Sequence, residues 1–175
     1  MANINGDPQP HSPGEALFQE LLWVHGMLRR DLSAVQKLAT DVGNGMAAED
    51  VVGQIGDLQT NSPLWKFRAN CLYFCRFVHA HHTLEDQAFF PAIRRSDPGM
   101  DDVVDKLEAD HREIATHIEA VNTATRTLMR DGAPEHRQAT VDALSRLADH
   151  LLEHLSYEEE SIGPTVKSWQ RLPFA

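Results

Sequence analysis

The stretch HHTLEDQAFFP at residues 81–91 decides the fold, and a related stretch, HLSYEEESIGP, occupies residues 154–164. Both place a glutamate four residues after a histidine, an acidic residue directly after that glutamate, and a proline six residues after it. Residues four apart lie on one face of an α-helix, about one turn from each other. The repeat therefore predicts two similar helices, each with a histidine–glutamate pair on one face and an end near its proline.

Four segments carry apolar residues at helical spacing, and no segment alternates as a β-strand does. The predicted helices cover about residues 13–42, 63–90, 97–130 and 134–162. Ser12 and Glu15 form a capping box before the first helix, and glycine or proline residues mark the ends. Mostly short connections predict an all-α, up-down-up-down four-helix bundle. The long first connection has apolar residues at helical spacing within residues 47–58, which predicts a short extra helix.

These helices form one predicted domain, residues 13–164. Residues 1–12 are polar and proline-rich, so we expect a disordered segment rather than a secretory signal. Residues 165–175 form a predicted tail, in which we expect Trp169, Leu172 and Phe174 to pack back on the bundle.

The charge balance excludes one large class of partners. The chain has 16 basic and 26 acidic side chains and a formal net charge of −10, which argues against nucleic-acid binding through phosphate contacts. No stretch approaches the roughly 18 apolar residues of a membrane span. Two cysteines cannot make a disulfide framework, so we expect a cytoplasmic protein with Cys71 and Cys75 as buried apolar residues; a redox role is the alternative.

Each predicted helix has an inward seam, which in the second helix passes through Ala88 and in the fourth ends at Ser161. The seams are otherwise mostly apolar and are interrupted by histidine or glutamate at one or two positions. The interruptions that we identify as candidate metal ligands are His25, His81, Glu85, His111, His154 and Glu158. At a rise of about 1.5 Å per residue, all six fall at one level of an antiparallel bundle. Buried carboxylates are tolerable when they are paired or bind a metal ion. The pattern therefore predicts a two-metal centre, and a metal-free hydrogen-bonded polar layer is the alternative.

The order His25, His81-x-x-x-Glu85, His111, His154-x-x-x-Glu158 resembles the hemerythrin-like, or HHE cation-binding, family over roughly residues 15–164. The resemblance implies a non-haem di-iron centre in which both glutamates and an oxo or hydroxo group bridge two iron ions. Mixed imidazole and carboxylate ligands suit iron, and manganese or zinc are the alternatives in a preparation.

The same resemblance implies small-molecule partners: O2, peroxide or nitric oxide. Catalase-like or other di-iron redox activity is among the functions it implies, and no residue is assigned a catalytic role. The alternatives are a non-catalytic oxygen, redox or iron sensor, an iron-handling protein that acts through a protein partner, and a metal-free helical interaction domain. We expect a monomer or a weak homodimer.

One position departs from the family pattern. Oxygen carriers of the family have a second histidine four residues after the third-helix ligand, and this chain has Ala115 there. His117 lies about 90° from the seam and is a poor substitute. One imidazole fewer implies a more open site, which favours reaction with small oxidants over simple O2 carriage.

Other polar residues flank the six candidates. His82 can pair with Asp86 and rival His81, but its direction favours a place behind the ligands or in solvent. His150 is expected at most behind a ligand. The acids Asp86, Glu159 and Glu160 are predicted to be solvated or to accept hydrogen bonds from ligand imidazoles. Glu108 forms a Glu-x-x-His motif with His111, but a ferritin-like site needs two such motifs.

Overall fold

The computed structural model describes residues 12–44 and 63–174, apart from the side chains of Leu38, Val42 and residues 63–72. Every regular element in these ranges is helical, and they contain no strand. The elements are α1 (Pro13–Gly43), α2 (Pro63–Leu84), a π-helical turn (Glu85–Phe89), α3 (Phe90–Ser96), a 3-10 turn (Pro98–Met100), α4 (Asp101–Arg130) and α5 (Pro134–Lys167). The short helix predicted within residues 47–58, the N-terminal residues 1–11 and the Cys71 side chain lie outside the described residues.

Four helical rods build the domain, because α2, the π turn and α3 are continuous. Leu84, Phe89 and Phe90 at the junctions all have right-handed helical backbone angles. α1 packs against α2 and α5, and α4 packs against α5 and α2, so the four rods close a ring. The structure therefore confirms the predicted all-α, up-down-up-down four-helix bundle.

The start of α1 is held against the end of α5. The Glu15 amide donates a hydrogen bond to Ser12 Oγ over 3.1 Å, as a capping box requires, and Ser12 Oγ donates to the Lys167 carbonyl over 3.1 Å. The Gly14 amide donates to the Trp169 carbonyl, also over 3.1 Å. A Cβ atom on Gly14 would overlap the Val166 carbonyl oxygen, so only glycine permits this approach.

Two predicted helix ends are wrong, because both prolines lie inside helical rods. A new hydrogen-bond register begins after the π turn, so Pro91 falls in the first turn of α3, where its missing N–H costs little. Pro164 lies on the exposed side of α5, which continues to Lys167. Gly163 does not end that helix, and instead leaves room for the Phe18 ring, which lies 3.0 Å from where a Cβ atom would be.

The π turn also moves the inward face of the second rod by one residue. The Phe90 amide donates to the Glu85 carbonyl, five residues back, so one extra residue is wound into this turn. Ala88, predicted on the seam, is only half-buried, and Phe89 and Phe90 are buried. The other seams follow the predicted pattern where they are described, except that Ile162 replaces Ser161 as the last inward residue of α5.

The core consists of two apolar clusters. One cluster is centred on residues such as Leu28, Phe74 and Leu151, and the other on residues such as Phe90 and Leu107. The predicted packing of the tail is confirmed for Trp169, which is buried and donates a hydrogen bond from Nε1 to Ser96 Oγ over 3.0 Å. Leu172 and Phe174 are 40% and 45% exposed.

None of the described helices is long and apolar enough to cross a lipid bilayer.

Candidate metal centre

All six predicted metal ligands meet in the bundle interior. Each helical rod contributes at least one of them, and five of the six are buried, with His25 and Glu158 fully inaccessible. The sixth, His81, has a side chain that is only 7% exposed. The six side chains therefore meet at one level of the bundle, as the helix lengths predict.

The imidazoles converge in two pairs that join neighbouring rods. His25 Nε2 lies 3.1 Å from His81 Nε2, and His111 Nε2 lies 3.1 Å from His154 Nε2. Each pair combines a histidine of α1 or α4 with the histidine of one His-x-x-x-Glu motif. The sequence repeat thus becomes an approximate twofold arrangement in space.

Both glutamates lie between the two imidazole pairs. Glu85 Oε1 is 3.3 Å from His81 Nε2, and its Oε2 is 3.5 Å from His111 Nε2. Glu158 Oε2 is 3.4 Å from His25 Nε2 and 3.7 Å from His154 Nε2. Each carboxylate therefore faces both pairs.

Two buried groups in the described part of the chain have the composition and spacing of metal sites. In each group, one ligand atom from every member lies within 4.8 Å of the others. The first, called the His25 group below, consists of His25, His81, Glu85 and Glu158. The second, called the His111 group, consists of His82, Glu85, His111 and His154. Glu85 belongs to both.

The sequence predicts His82 behind the ligands or in solvent, whereas in the structure it lies in the buried layer of imidazoles. Its side chain is buried, and its ring stacks on that of His111 with the centroids 3.9 Å apart and an interplanar angle of 7°. The layer therefore contains five imidazoles rather than four. A signal was present in the sequence: His82 precedes Glu85 by three residues, a spacing that also shares a helix face.

Carboxylates behind the rings orient two of the imidazoles. His111 Nδ1 donates to Asp86 Oδ1 over 2.7 Å, and His25 Nδ1 donates to Glu159 Oε1 over 2.8 Å. Arg29 also donates to Glu159, over 2.7 Å. An ionised carboxylate can only accept, so each Nδ1 carries the proton and each Nε2 keeps its lone pair for the centre. The predicted acceptor role is confirmed for Asp86 and Glu159, whereas Glu160 is exposed.

Burial shifts the ionisation of these groups strongly. It lowers the pKa of His81 to about 3 and that of His154 to about 2, and it is also the largest cause of the lowered pKa of His25, His82 and His111. Burial raises the pKa of Glu158 to about 8. It also raises the pKa of Glu85, and the Glu158 charge adds to that shift. The imidazoles are therefore neutral, and a cation would favour the ionised glutamates.

Several buried polar atoms of the centre have no hydrogen-bond partner among the described residues. They are both carboxylate oxygens of Glu85 and of Glu158, Nε2 of His82 and Nδ1 of His154. Ligand atoms bound about 2.1 Å from one ion lie about 3.0 Å apart at right angles and about 3.4 Å apart in a tetrahedron. The His25 Nε2–His81 Nε2 distance of 3.1 Å and the His111 Nε2–Glu85 Oε2 distance of 3.5 Å are close to these values. The residues present fit metal ions.

Comparison with known protein families agrees with this geometry. The family model described as the hemerythrin HHE cation-binding domain matches residues 16–166. The chain belongs to this family. No curated protein and no solved structure matched it significantly. The buried histidines and glutamates are therefore the candidate ligands for the cation that HHE domains bind.

Two cavities reach the HHE centre from different sides. An apolar cavity of about 380 Å³ ends at His81 and Glu85. Its other lining residues are Leu17, Glu20, Leu21, Val24, Leu84, Ala88, Phe89 and Phe174. A polar cavity of about 160 Å³ includes His154 in its lining, together with Asp110 and Glu113. The His25 group is thus next to apolar space, and the His111 group is next to polar space.

The remaining sequence candidates lie away from the two buried groups. Ala115 is exposed. Glu108 accepts a hydrogen bond from Arg94 over 3.3 Å instead of facing the centre. Cys75 is buried in the apolar cluster around Leu28, in keeping with its predicted packing role.

Proposed function

We propose that this HHE domain holds two iron ions at the buried centre and uses them to bind small oxidants and to decompose peroxide. The His25 group would hold one ion and the His111 group the other. The observation that carries the proposal is the position of Glu85, which directs one oxygen at each group, 3.3 Å from His81 Nε2 and 3.5 Å from His111 Nε2. A carboxylate in this position suits a bridge between two cations.

The donor set favours iron as the natural metal. Five imidazoles and two carboxylates form a mixed nitrogen and oxygen set without thiolate, which suits redox-active iron better than Ca²⁺ or Mg²⁺. An iron pair would supply and take back the electrons for the reaction with an oxidant. Decomposition of peroxide needs no other reductant: one H2O2 accepts two electrons and two protons to give two waters, and a second H2O2 releases them to give O2.

The His25 group is the half at which we expect a small molecule to bind. It has two imidazoles and two carboxylates, whereas the His111 group has three imidazoles and one carboxylate. The apolar cavity also ends at His81 and Glu85 in this half. Uncharged molecules such as O2, nitric oxide and peroxide can enter an apolar cavity at a lower desolvation cost than ions can.

The surrounding residues hold the ligands in place and limit the access of water. Asp86 and Glu159 fix the ring orientation and the proton position of His111 and His25. The fully buried Phe90 ring lies 5.2 Å from the His111 ring and shields that imidazole on one side. The apolar clusters on either side of the layer keep bulk solvent away from the carboxylates.

A peroxide assay on the iron-loaded protein tests the proposal. We expect about two iron ions per chain, a near-ultraviolet absorption that changes when peroxide is added, and release of O2. Glu158→Ala should lose iron and O2 release together, because one oxygen of Glu158 faces both groups. The matched control is Glu160→Ala, which alters an exposed acid two residues away.

A spectrum that does not change in peroxide would contradict the proposed reaction. A spectrum that changes without O2 release would instead favour the oxygen or redox sensor. An iron-free protein with unaltered stability would favour the metal-free polar layer.

A further inference from the structure

A second cluster of metal-binding side chains lies on the surface between α4 and α5. Glu113 and His117 are four residues apart on α4, and His150 faces them from α5. His150 Nδ1 lies 3.4 Å from Glu113 Oε1, and His117 Nε2 lies 3.8 Å from the same oxygen. The two imidazole centroids are 4.4 Å apart. One ligand atom from each residue falls within 4.8 Å of the others.

One atom of this cluster, His117 Nε2, gives a separate indication that the cluster binds a ligand. His117 Nε2 is buried and has no hydrogen-bond partner among the described residues, although the side chain as a whole is 18% exposed. A buried polar atom without a partner is costly. A cation between Glu113, His117 and His150 would satisfy this nitrogen and would bring the nearby carboxylate and imidazoles to a common partner.

The spacing suits a small divalent ion with nitrogen and oxygen ligands. Neighbouring ligands of a tetrahedral zinc ion lie about 3.4 Å apart. The Glu113 Oε1 atom is 3.4 Å from one imidazole nitrogen and 3.8 Å from the other, so small rotations of side chains complete the set. Three protein ligands with a fourth position open to solvent form a known type of zinc site.

The charges nearby also favour a cation. The adjoining cavity of about 160 Å³ is lined by the carboxylates of Asp110, Glu113 and Glu153 and by one ammonium group, that of Lys106. Lys106 is engaged by Asp110 over 2.6 Å. Glu113 in the cluster and Glu153 beside it therefore have no lysine or arginine partner among the residues that line this cavity, and both are exposed to solvent.

We propose that Glu113, His117 and His150 form a second, surface site for a divalent first-row transition ion, with Zn²⁺ as the probe ion. None of the three belongs to the His25 group or the His111 group. The proposal therefore does not depend on which metal the buried centre holds or on what that centre does.

The test is a zinc titration of the metal-loaded protein by calorimetry, with the metal content of the buried centre measured before and after. We expect one further equivalent of Zn²⁺ per chain. His117→Ala and His150→Ala should each weaken it at least tenfold, and Glu113→Gln should weaken it measurably. His79→Ala is the matched control, because His79 is an exposed histidine on α2 and should leave zinc binding unchanged.

Replacement of the surface ligands should leave the buried metal and its spectrum unchanged, which confirms that the variants fold. His117→Gln and His150→Gln provide more conservative replacements if an alanine variant does not fold. Equal zinc binding by wild type and by the His117→Ala/His150→Ala double variant would overturn the proposal. Loss of binding in His79→Ala to the same extent would overturn it as well.

Discussion

The two halves of the buried centre share the Glu85 carboxylate but differ in what surrounds them. The His25 group has two imidazoles and adjoins an apolar cavity of about 380 Å³. The His111 group has three imidazoles, packs against the Phe90 ring and adjoins a polar cavity of about 160 Å³. The sequence repeat accounts for the likeness between the halves. His82 and Phe90 account for the difference, and both belong to the rod that contains the π turn. Similar ligands would thus hold two ions, and their unlike surroundings would direct small molecules to one of them.

Removal of Glu85 should have the largest effect, because this residue belongs to both halves. We expect Glu85→Ala to lose both ions and, with them, the stability that metal binding adds, a decrease in Tm of about 10 °C relative to the iron-loaded wild type. Iron analysis and thermal unfolding measure this result. Glu160→Ala should keep the wild-type iron content and Tm. Full iron occupancy in Glu85→Ala would show that the glutamate is not a shared ligand.

Removal of His82 should weaken the His111 half more than the His25 half, because only the His111 group contains this imidazole. His82→Ala leaves two imidazoles in each group, so we expect the affinity for one of the two ions to fall by about 10- to 100-fold. Iron content at limiting metal should then approach one ion per chain. His79→Ala, a change at an exposed histidine on the same helix, is the control. If His82→Ala binds both ions as tightly as the wild type, His82 is only a packing residue.

The Glu158 carboxylate should stabilise the metal-loaded fold and destabilise the metal-free fold at pH 8. In the metal-free fold, burial raises the pKa of this group to about 8, whereas an exposed glutamate in the unfolded chain has a pKa near 4.5. The folded state therefore binds this proton more tightly, and stability falls as pH rises through 8, by at most about 1.4 kcal/mol per pH unit. Urea unfolding between pH 7 and 8.5 measures this dependence.

Glu158→Gln is the variant that isolates this effect, because its amide does not ionise. Metal-free Glu158→Gln should be more stable than the metal-free wild type at pH 8, by about 1 kcal/mol. When iron is added to both proteins, the wild type should be the more stable of the two. An equal pH slope in the two metal-free proteins would exclude a buried titrating Glu158.

The smallest effect that we expect comes from narrowing the apolar cavity of the His25 half. Ala88 is half-buried and lines this cavity beside Glu85. Ala88→Leu should slow the reaction with peroxide severalfold without changing iron content, because the added side chain occupies the approach to His81 and Glu85. Ala109→Leu on the exposed face of α4 is the control. Unchanged rates in Ala88→Leu would show that the small molecule enters elsewhere.

Much of this molecule follows from the spacing of its residues. The seams of α1 and α4 contain strictly periodic apolar residues, so the burial of His25 and His111 could be predicted from helix geometry alone. The repeated His-x-x-x-Glu spacing brought His81, Glu85 and His154 to the same level for the same reason.

Two features could not be predicted in this way, the π turn (Glu85–Phe89) and the position of His82. A π turn is not visible in a periodicity of 3.6 residues, so the sequence predicts a helix end at Pro91 and a seam position at Ala88. The sequence predicts His82 behind the ligands or in solvent because one helix face points at a single metal site. Two groups side by side can accept adjacent residues of one helix, with His81 in one group and His82 in the other.

Anomalous diffraction at the iron absorption edge, from crystals of the iron-loaded protein, tests the central claim most directly. We expect two iron peaks about 3.5–4 Å apart, one beside His25 and His81, the other beside His111 and His154, with the Glu85 carboxylate between them. A single peak, or peaks outside the His25 and His111 groups, would contradict the account of a shared two-metal centre.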